Sequence, residues 1–427
     1  MRILLLLVFS LIITACGGGG DGGSSSFRLS VNIVTPSQVE LNWDQHPDAI
    51  SYEIRRNNIY LYHTSSNSFI DRTIEPGIQY CYVIYYSGIV SSKKGRSNEV
   101  CITTQLASGW IIETIDAGAN PSLSLDEINQ PHVSYRNTNG VMHAYKTNGS
   151  WYQSLVDNNS GNYGDTDIVV DQFGAVRLSY YDDVNKRLMY ANNAIGIWNT
   201  EEIVSWTGNS VTSLNIDSAS NNHIIYQYLL DINYMTDSSG SWQTEKLDSG
   251  QLREAKILVD ATGIVHVAYT TDGLNGCTLS YINNMSGTWQ QQFVTYGSIC
   301  GVAIDIDLEG NIHLAYTQNN SLMHAHNTSG SWQSEWLDNN LGKEVNRGRV
   351  GLAIDNLNNL HIAYQDYNSD LKYITDKSGI WEWYFLDNSS IAGADPSIAV
   401  DTSGKVNIVY IDDTDTGDKV VKLVTRP

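Results

Sequence analysis

The chain has 427 residues, of which 46 are Asp or Glu and 25 are Lys or Arg, for a formal charge of −21. Only 17% of residues are charged and 41% are hydrophobic, so the acidity belongs to a folding chain and not to a disordered acidic tail. The same balance argues against nucleic acid as a partner, since that would need a basic face to displace phosphate counterions.

The N-terminus reads as a targeting segment. Arg2 precedes an apolar run from Ile3 to Ile13 that is too short to span a bilayer. Leu11-Ile12-Ile13-Thr14-Ala15-Cys16 resembles the bacterial lipobox. That resemblance implies a signal peptide over 1–15, a lipid-bearing Cys16 as the first mature residue, and the membrane as a partner through that lipid. Gly17 behind the cysteine implies the outer membrane of the cell envelope. Residues 16–26 form the lipidated cysteine and a Gly/Ser tether with too little apolar surface to fold. Setting Cys16 aside leaves Cys81, Cys101, Cys277 and Cys300, the even number expected of an exported protein with two disulfides. No pair has the spacing of zinc ligands.

From 27 to 105 the chain alternates in-facing and out-facing residues over short runs, Val39 to Trp43, Ser51 to Arg55 and Tyr80 to Tyr86, which is the pattern of a β-sandwich. It resembles a fibronectin type III domain. Trp43 would be its core tryptophan, Tyr52 would stand on the next strand, and residues 76–80 would approach a tyrosine corner. The resemblance sets the last strand, Arg96 to Thr104, beside that of Cys81, and so implies a Cys81–Cys101 disulfide. Acids and bases balance here at seven each, as suits a spacer or adhesive module.

From 106 to 427 the sequence repeats. Trp recurs at 110, 151, 198, 242, 289, 332 and 381. Between these, Asp126, Asp171, Asp217, Asp260, Asp307, Asp355 and Asp401 each precede a tyrosine by nine residues: Tyr135, Tyr180, Tyr226, Tyr269, Tyr316, Tyr364 and Tyr410. The aspartates read as turn formers between two strands. Four short strands in about 45 residues make a propeller blade. The fold class is therefore all-β: the sandwich followed by a seven-bladed β-propeller closed by its own N-terminal strand. Runs such as Asp237 to Trp242 and Asp376 to Trp381 resemble loose Asp-boxes, the hairpins of sialidase-type propellers.

Blade topology puts the loops after the second and fourth strands at one end, where a ligand site is expected. Cys277 and Cys300 fall there on adjacent blades and form the second expected disulfide. Asp182, Asp183, Asp366 and Asp412, with the aromatics Tyr181, Trp206 and Tyr367, are the candidate ligand-binding residues. Carboxylates accept hydrogen bonds from sugar hydroxyls or coordinate Ca2+, and aromatic rings cover a pyranose face. No other cofactor is expected, and no metal ligands are assigned. His132, His223, His266, His313 and His361 recur at one strand position and are expected to be hydrogen-bonded between blades and not bound to metal. No catalytic residue is assigned, because the chain has no sialidase Arg-Ile-Pro motif, no Gly-x-Ser-x-Gly elbow, no His-Glu-x-x-His and no phosphate loop. The expected function is a non-catalytic envelope binding protein for a glycan or a surface protein. The alternatives are a glycoside-processing enzyme of sialidase type and a structural envelope scaffold.

Overall fold

The computed structural model describes residues 27–426 apart from 36–37, 72, 75–78, 89–93, 104–108, 159–163, 206–209, 274–275, 339–348, 367–368, 389–390 and 414–417. Every regular element among the described residues is a β-strand. The chain divides into two compact units, Met1–Leu106 and Ala107–Pro427. Residues 1–26, with the expected leader, Cys16 and the expected tether, lie outside the described residues.

In the first unit two antiparallel sheets face each other. One joins Leu29–Thr35, Gln38–Trp43 and Ser68–Asp71; the other joins Ala49–Arg56, Ile59–Thr64, Gln79–Gly88, Lys94–Arg96 and Val100–Thr103. Period-two alternation sends Val39, Leu41 and Trp43 inward from one sheet and Tyr52, Ile54, Tyr82 and Ile84 inward from the other, into one core. Trp43 meets Tyr52 edge to face at 5.5 Å. The buried Tyr82 hydroxyl donates to Asp71 at 2.8 Å, and Arg56 donates to the same carboxylate at 3.0 Å. That anchoring tyrosine lies two residues beyond the expected approach at 76–80. Cys81 and Cys101 are direct cross-strand partners and are disulfide-bonded.

The second unit contains seven four-stranded antiparallel sheets among the described residues. Six are built from consecutive strands. The seventh takes Ile391–Val400, Val406–Asp413 and Lys419–Arg426 from the end of the chain and Ile111–Ala117 from the start of the unit. Numbered in chain order, the sheets lay their first strands side by side: Ala119–Leu125, Thr166–Val170, Thr212–Ile216, Leu252–Val259, Ile299–Ile306 and Val350–Ile354. The last of these borders Ile391–Val400, which borders the first again. The cycle is closed, and the strand pairing that joins its two ends is that of Ile111–Ala117 with Lys419–Arg426 in the seventh sheet.

Each repeat signature has a job in this ring. The turn aspartates receive two backbone amides on one oxygen, as when Ile128 and Gln130 donate to Asp126 Oδ1, and all seven turns repeat the pattern. The repeated tyrosines are buried and join neighbouring sheets. Tyr135, Tyr180, Tyr269, Tyr364 and Tyr410 donate to Asp116, Asp157, Asp248, Asp338 and Asp387 on the outer strand of the preceding sheet, at 2.6 to 2.8 Å. The repeated tryptophans do the same from the outside. Trp198, Trp242, Trp289, Trp332, Trp381 and Trp110 each set an edge against a His or Tyr of the preceding sheet. Aromatic contacts of this kind contribute about 0.5–1.5 kcal/mol each beyond area burial.

Candidate functional site

The expected carboxylates are not on the rim. Asp182, Asp366 and Asp412 each stand two residues beyond a buried strand tyrosine, so the pleat turns them to the same buried face. Each pairs with a cation of its own sheet: Asp182 with Arg187 at 2.5 Å, Asp366 with Lys372 at 3.1 Å and Asp412 with Lys422 at 2.5 Å. Burial pushes the Asp182 carboxyl up, yet hydrogen bonds from Asn185 and Arg187 hold it below the ordinary carboxylate range. These three are structural ion pairs, and their placement corrects the expectation of solvent-facing ligand groups. Tyr181 is also buried, with its carbonyl accepting from Arg136. Asp183 is half-buried within electrostatic reach of Arg136. Trp206 and Tyr367 lie outside the described residues.

The recurring histidines are hydrogen-bonded within their own sheets and not between blades, which corrects that expectation. His223, His266 and His361 contact a tyrosine hydroxyl on the third strand at 2.5 to 2.6 Å, while His132 and His313 contact His143 and His324 there. The other ring nitrogen faces the turn aspartate six residues earlier at 3.3 to 3.5 Å. A strand histidine thus braces the turn beneath it.

Two of the arginines that could clamp a substrate acid are already engaged. Arg136 is fully buried and donates to the carbonyls of Gly164 and Tyr181, holding the loop into sheet two. Arg349 sits at the start of sheet six's first strand and pairs with Asp165 of sheet two, Glu254 of sheet four at 3.5 Å and Asp395 of sheet seven at 3.6 Å. One cation therefore spans four sheets across the axis of the ring. Burial pushes the Glu254 carboxyl up to about 7, against the opposing pull of Arg349 and Lys256. Burial alone would lower the Arg349 guanidinium, but three carboxylates raise it well above its ordinary value. Below it lies a cavity of about 270 Å³ lined by the first strands, including Ser122, Asp167, Ser213 and Lys256. Asp167 there accepts from Ser122 and Ser213 hydroxyls at 2.6 and 2.9 Å. Nothing in the periodic pattern marks Arg349 or Glu254, because each belongs to one sheet alone.

What the loop end does expose is a strip over sheet four. Arg253 donates to Asp272 at 2.6 Å, with side chains 59% and 38% exposed. Asp272 pairs across the strands with Cys277, and Cys277 with Gly297 on the outer strand. The neighbouring Tyr296 is 67% exposed. Gln318 of sheet five donates to the Tyr296 carbonyl at 2.8 Å, and Asn319 accepts from Ser298 N–H at 3.1 Å. Gly297 has φ 156°, and a Cβ there would meet Gln318 Nε2 at 3.0 Å, so glycine permits this close approach. The loop end of sheets four and five thus exposes a tyrosine and an Arg–Asp pair, with two amides engaged on the backbone beside Tyr296.

Cys277 carries a free thiol, which overturns the expected Cys277–Cys300 disulfide. Its sulfur lies 3.8 Å from Asp272 Oδ1 on its own hairpin. Cys300 stands on the first strand of the next sheet, where the register with the second strand slips.

No family model matches the chain, and no curated protein sequence matches it. Among solved structures, the BP39L lectin from Burkholderia pseudomallei superposes with a TM-score of 0.57 at 11% identity, over 74% of this chain and 99% of that one. AofleA from Arthrobotrys oligospora reaches 0.48 at 12% identity, over 65% and 89%. The Aleuria aurantia lectin, described as a six-bladed β-propeller with a fucose recognition mode, reaches 0.45 at 11% identity, over 71% and 90%. Identities this low speak to fold alone. Together with the closed cycle of sheets, the superposition on the Burkholderia protein makes the second unit of this chain a β-propeller of four-stranded antiparallel blades.

Proposed function

We propose that this protein is a non-catalytic carbohydrate-binding protein of the cell envelope, a seven-bladed propeller carried on a fibronectin type III stalk and lipidated at Cys16. The observation that carries the reading is the exposed Tyr296 at the loop end, where Gln318 and Asn319 reach the neighbouring backbone and the same sheet exposes the Arg253–Asp272 pair. An exposed aromatic ring in a loop region rich in hydrogen-bonding groups suits a pyranose, which presents one apolar face and a rim of hydroxyls. The acidity of the chain repels polyanions and favours a neutral sugar. The fold shared with a Burkholderia lectin supports the same class of ligand. Arg136 and Arg349 are committed to the protein's own groups, which argues for binding over sialidase-type chemistry. Asp182, Asp366 and Asp412 already hold a cation side chain, so the sugar is bound without their help and without Ca2+ on them.

A glycan array probed with residues 27–427, in calcium and in chelator, tests this. The expected result is a specific signal that survives chelation and falls at least about tenfold in Tyr296→Ala, the cost of one lost stacking and packing contact of roughly 1.4 kcal/mol or more. Silence of the parent chain, or a signal indifferent to Tyr296→Ala and Asp272→Asn, would remove the strip as the site.

A further inference from the structure

Register places one residue of every first strand at the same level around the propeller axis, opposite the residue that precedes each repeated tyrosine. All seven line the axial cavity of about 270 Å³. In sheets seven, two and three this residue is Ser397, Asp167 and Ser213. Each accepts an N–H of the next first strand, from Leu123 at 3.2 Å, Leu214 at 3.0 Å and Ile257 at 3.3 Å. In sheets four, five and six it is Lys256, Ala303 and Gly351, whose side chains hold no acceptor, so the equivalent N–H groups of Ile304, Leu352 and Ile398 find none at this level. A Cβ on Gly351 would lie 3.2 Å from Ile398 N, so that nitrogen stands directly against bare glycine. Two charged groups of sheet four border the same space. Glu254 and Lys256 are two residues apart on one strand and share its face, and both line the cavity. The Glu254 carboxyl is only 5% exposed, and its one partner among the described residues is Arg349 Nε at 3.5 Å, too long for a strong hydrogen bond. Lys256 is half-buried and has no hydrogen-bond or ion-pair partner among the described residues. Charges withdrawn from water without a close partner cost free energy, so each of these groups has an unused contact to make.

We propose that the axial cavity binds a small zwitterion with the chemistry of a free α-amino acid, its ammonium on Glu254 and its carboxylate on Lys256 and the N–H groups of Leu352 and Ile398. Around this space Asp165, Glu254, Asp395 and Asp167 stand against Arg349 and Lys256. Four carboxylates to two cations repel a plain anion. A plain cation would leave the Lys256 ammonium without an acceptor. Arg349 is already shared among three carboxylates, and Asp167 already accepts from the Ser122 and Ser213 hydroxyls and from the N–H groups of Leu214 and Ile168. Glu254 and Lys256 are left as the charged groups with capacity for a ligand. A molecule carrying both charges meets each of them with a charge-assisted hydrogen bond, about twice as strong as a neutral one. The volume falls just under the roughly 300 Å³ at which pockets for drug-sized ligands begin, which suits one amino acid and excludes a peptide. This site lies among the first strands, whereas Tyr296 belongs to the outer strand Gln290–Gly297, so it stands or falls independently of the carbohydrate reading.

Isothermal titration calorimetry of residues 27–427 with each of the twenty standard L-amino acids, offered singly, tests the site. The expected result is saturable one-to-one binding of at least one of them. The decarboxylated amine and the deaminated acid of that amino acid should each bind at least about tenfold more weakly, as loss of a hydrogen bond to a charged group requires. Lys256→Met and Glu254→Gln should weaken the intact amino acid by a similar factor. Ala303→Leu, which fills the cavity from sheet five and leaves both charges in place, should abolish binding. Thermal melts identify the variants that fold, and the two ligand analogues decide the matter on the parent protein alone. Silence with all twenty, equal binding of an analogue lacking one charge, or binding retained in folded Lys256→Met and Ala303→Leu would overturn the proposal. So would displacement of the amino acid by a neutral methyl glycoside, which would give the cavity to a sugar, or loss of the signal in Tyr296→Ala, which would move it to the loop end.

Discussion

The Tyr410 hydroxyl donates to the Asp387 carboxylate at 2.6 Å, across the boundary between sheets six and seven, and Lys422 of sheet seven reaches the same carboxylate at 3.3 Å. Five of the seven sheet boundaries carry this tyrosine–aspartate bond. At the other two, Tyr226 reaches Thr244 at 3.5 Å and Tyr316 reaches Ser334 at 3.2 Å, each within its own sheet.

The difference predicts an order of stabilities. Tyr364→Phe removes a bond from a buried hydroxyl to a half-buried carboxylate and should cost about 1.5–3 kcal/mol. Tyr226→Phe, losing a contact at the limit of hydrogen-bond length, should cost less than about 0.5 kcal/mol. Urea titrations of the two variants with a propeller tryptophan signal would check this, and equal midpoints would remove the boundary bond as a stabilising element.

Acid should weaken the propeller before it weakens most folds. Burial lowers His132, His223, His266 and His361, and takes His143 to about 3 and His313 to about 4. A histidine depressed in the folded state contributes stability that is intact above its unfolded value near 6.5 and is lost as pH falls below it. Glu254 and Asp305, raised by burial to about 7 and about 6, act in the opposite sense over part of that range. With His326 also lowered and Asp376 also raised by burial, seven groups against three leave a net loss on going from pH 7 to 5, visible as a falling urea midpoint. His313→Gln should flatten the slope by about one proton.

Arg349 holds three carboxylates from three other sheets. Arg349→Met leaves them facing one another and should cost about 3–5 kcal/mol. The loss should be larger at pH 8 than at pH 6, because a raised carboxyl such as Glu254 favours the folded state only while protonated, and that contribution fades as pH rises through its folded value. Denaturation midpoints at the two pH values would show it, and a pH-independent loss would contradict the assignment.

The disulfide belongs to the first unit alone. Reduction of Cys81–Cys101 should lower the stability of that unit by about 2–4 kcal/mol and leave the propeller transition in place. Differential scanning calorimetry with and without reductant separates the two, and a shift of both transitions together would show the units to be coupled.

Much of this was legible in the chain because repetition amplifies weak signals. The nine-residue step from Asp126 to Tyr135, seen seven times, located the turns and the buried strands, and the period of the tryptophans located the outer strands. The aspartate six residues after five of those tryptophans, as in Trp381 to Asp387, was equally available. Its meaning was hidden because its tyrosine partner belongs to the next repeat. The loop carboxylates failed for the opposite reason. Acidic residues after a strand look solvated, yet Asp182, Asp366 and Asp412 keep the parity of Tyr180, Tyr364 and Tyr410, and parity decides the face. Arg349 carries no such signal, since contacts across a ring axis leave no local pattern.

The pairing of Ile111–Ala117 with Lys419–Arg426 also sets a clock. The ribosome makes the first of these strands near the start of the propeller and the second at its very end, so the outer strand of the last blade waits through the synthesis of the other six for its partner. Until then the ring is open and two sheet edges face solvent. A chain that stops short of Lys419 can form blades but cannot lock them, which makes the pairing of this eight-residue strand the step that closes the ring.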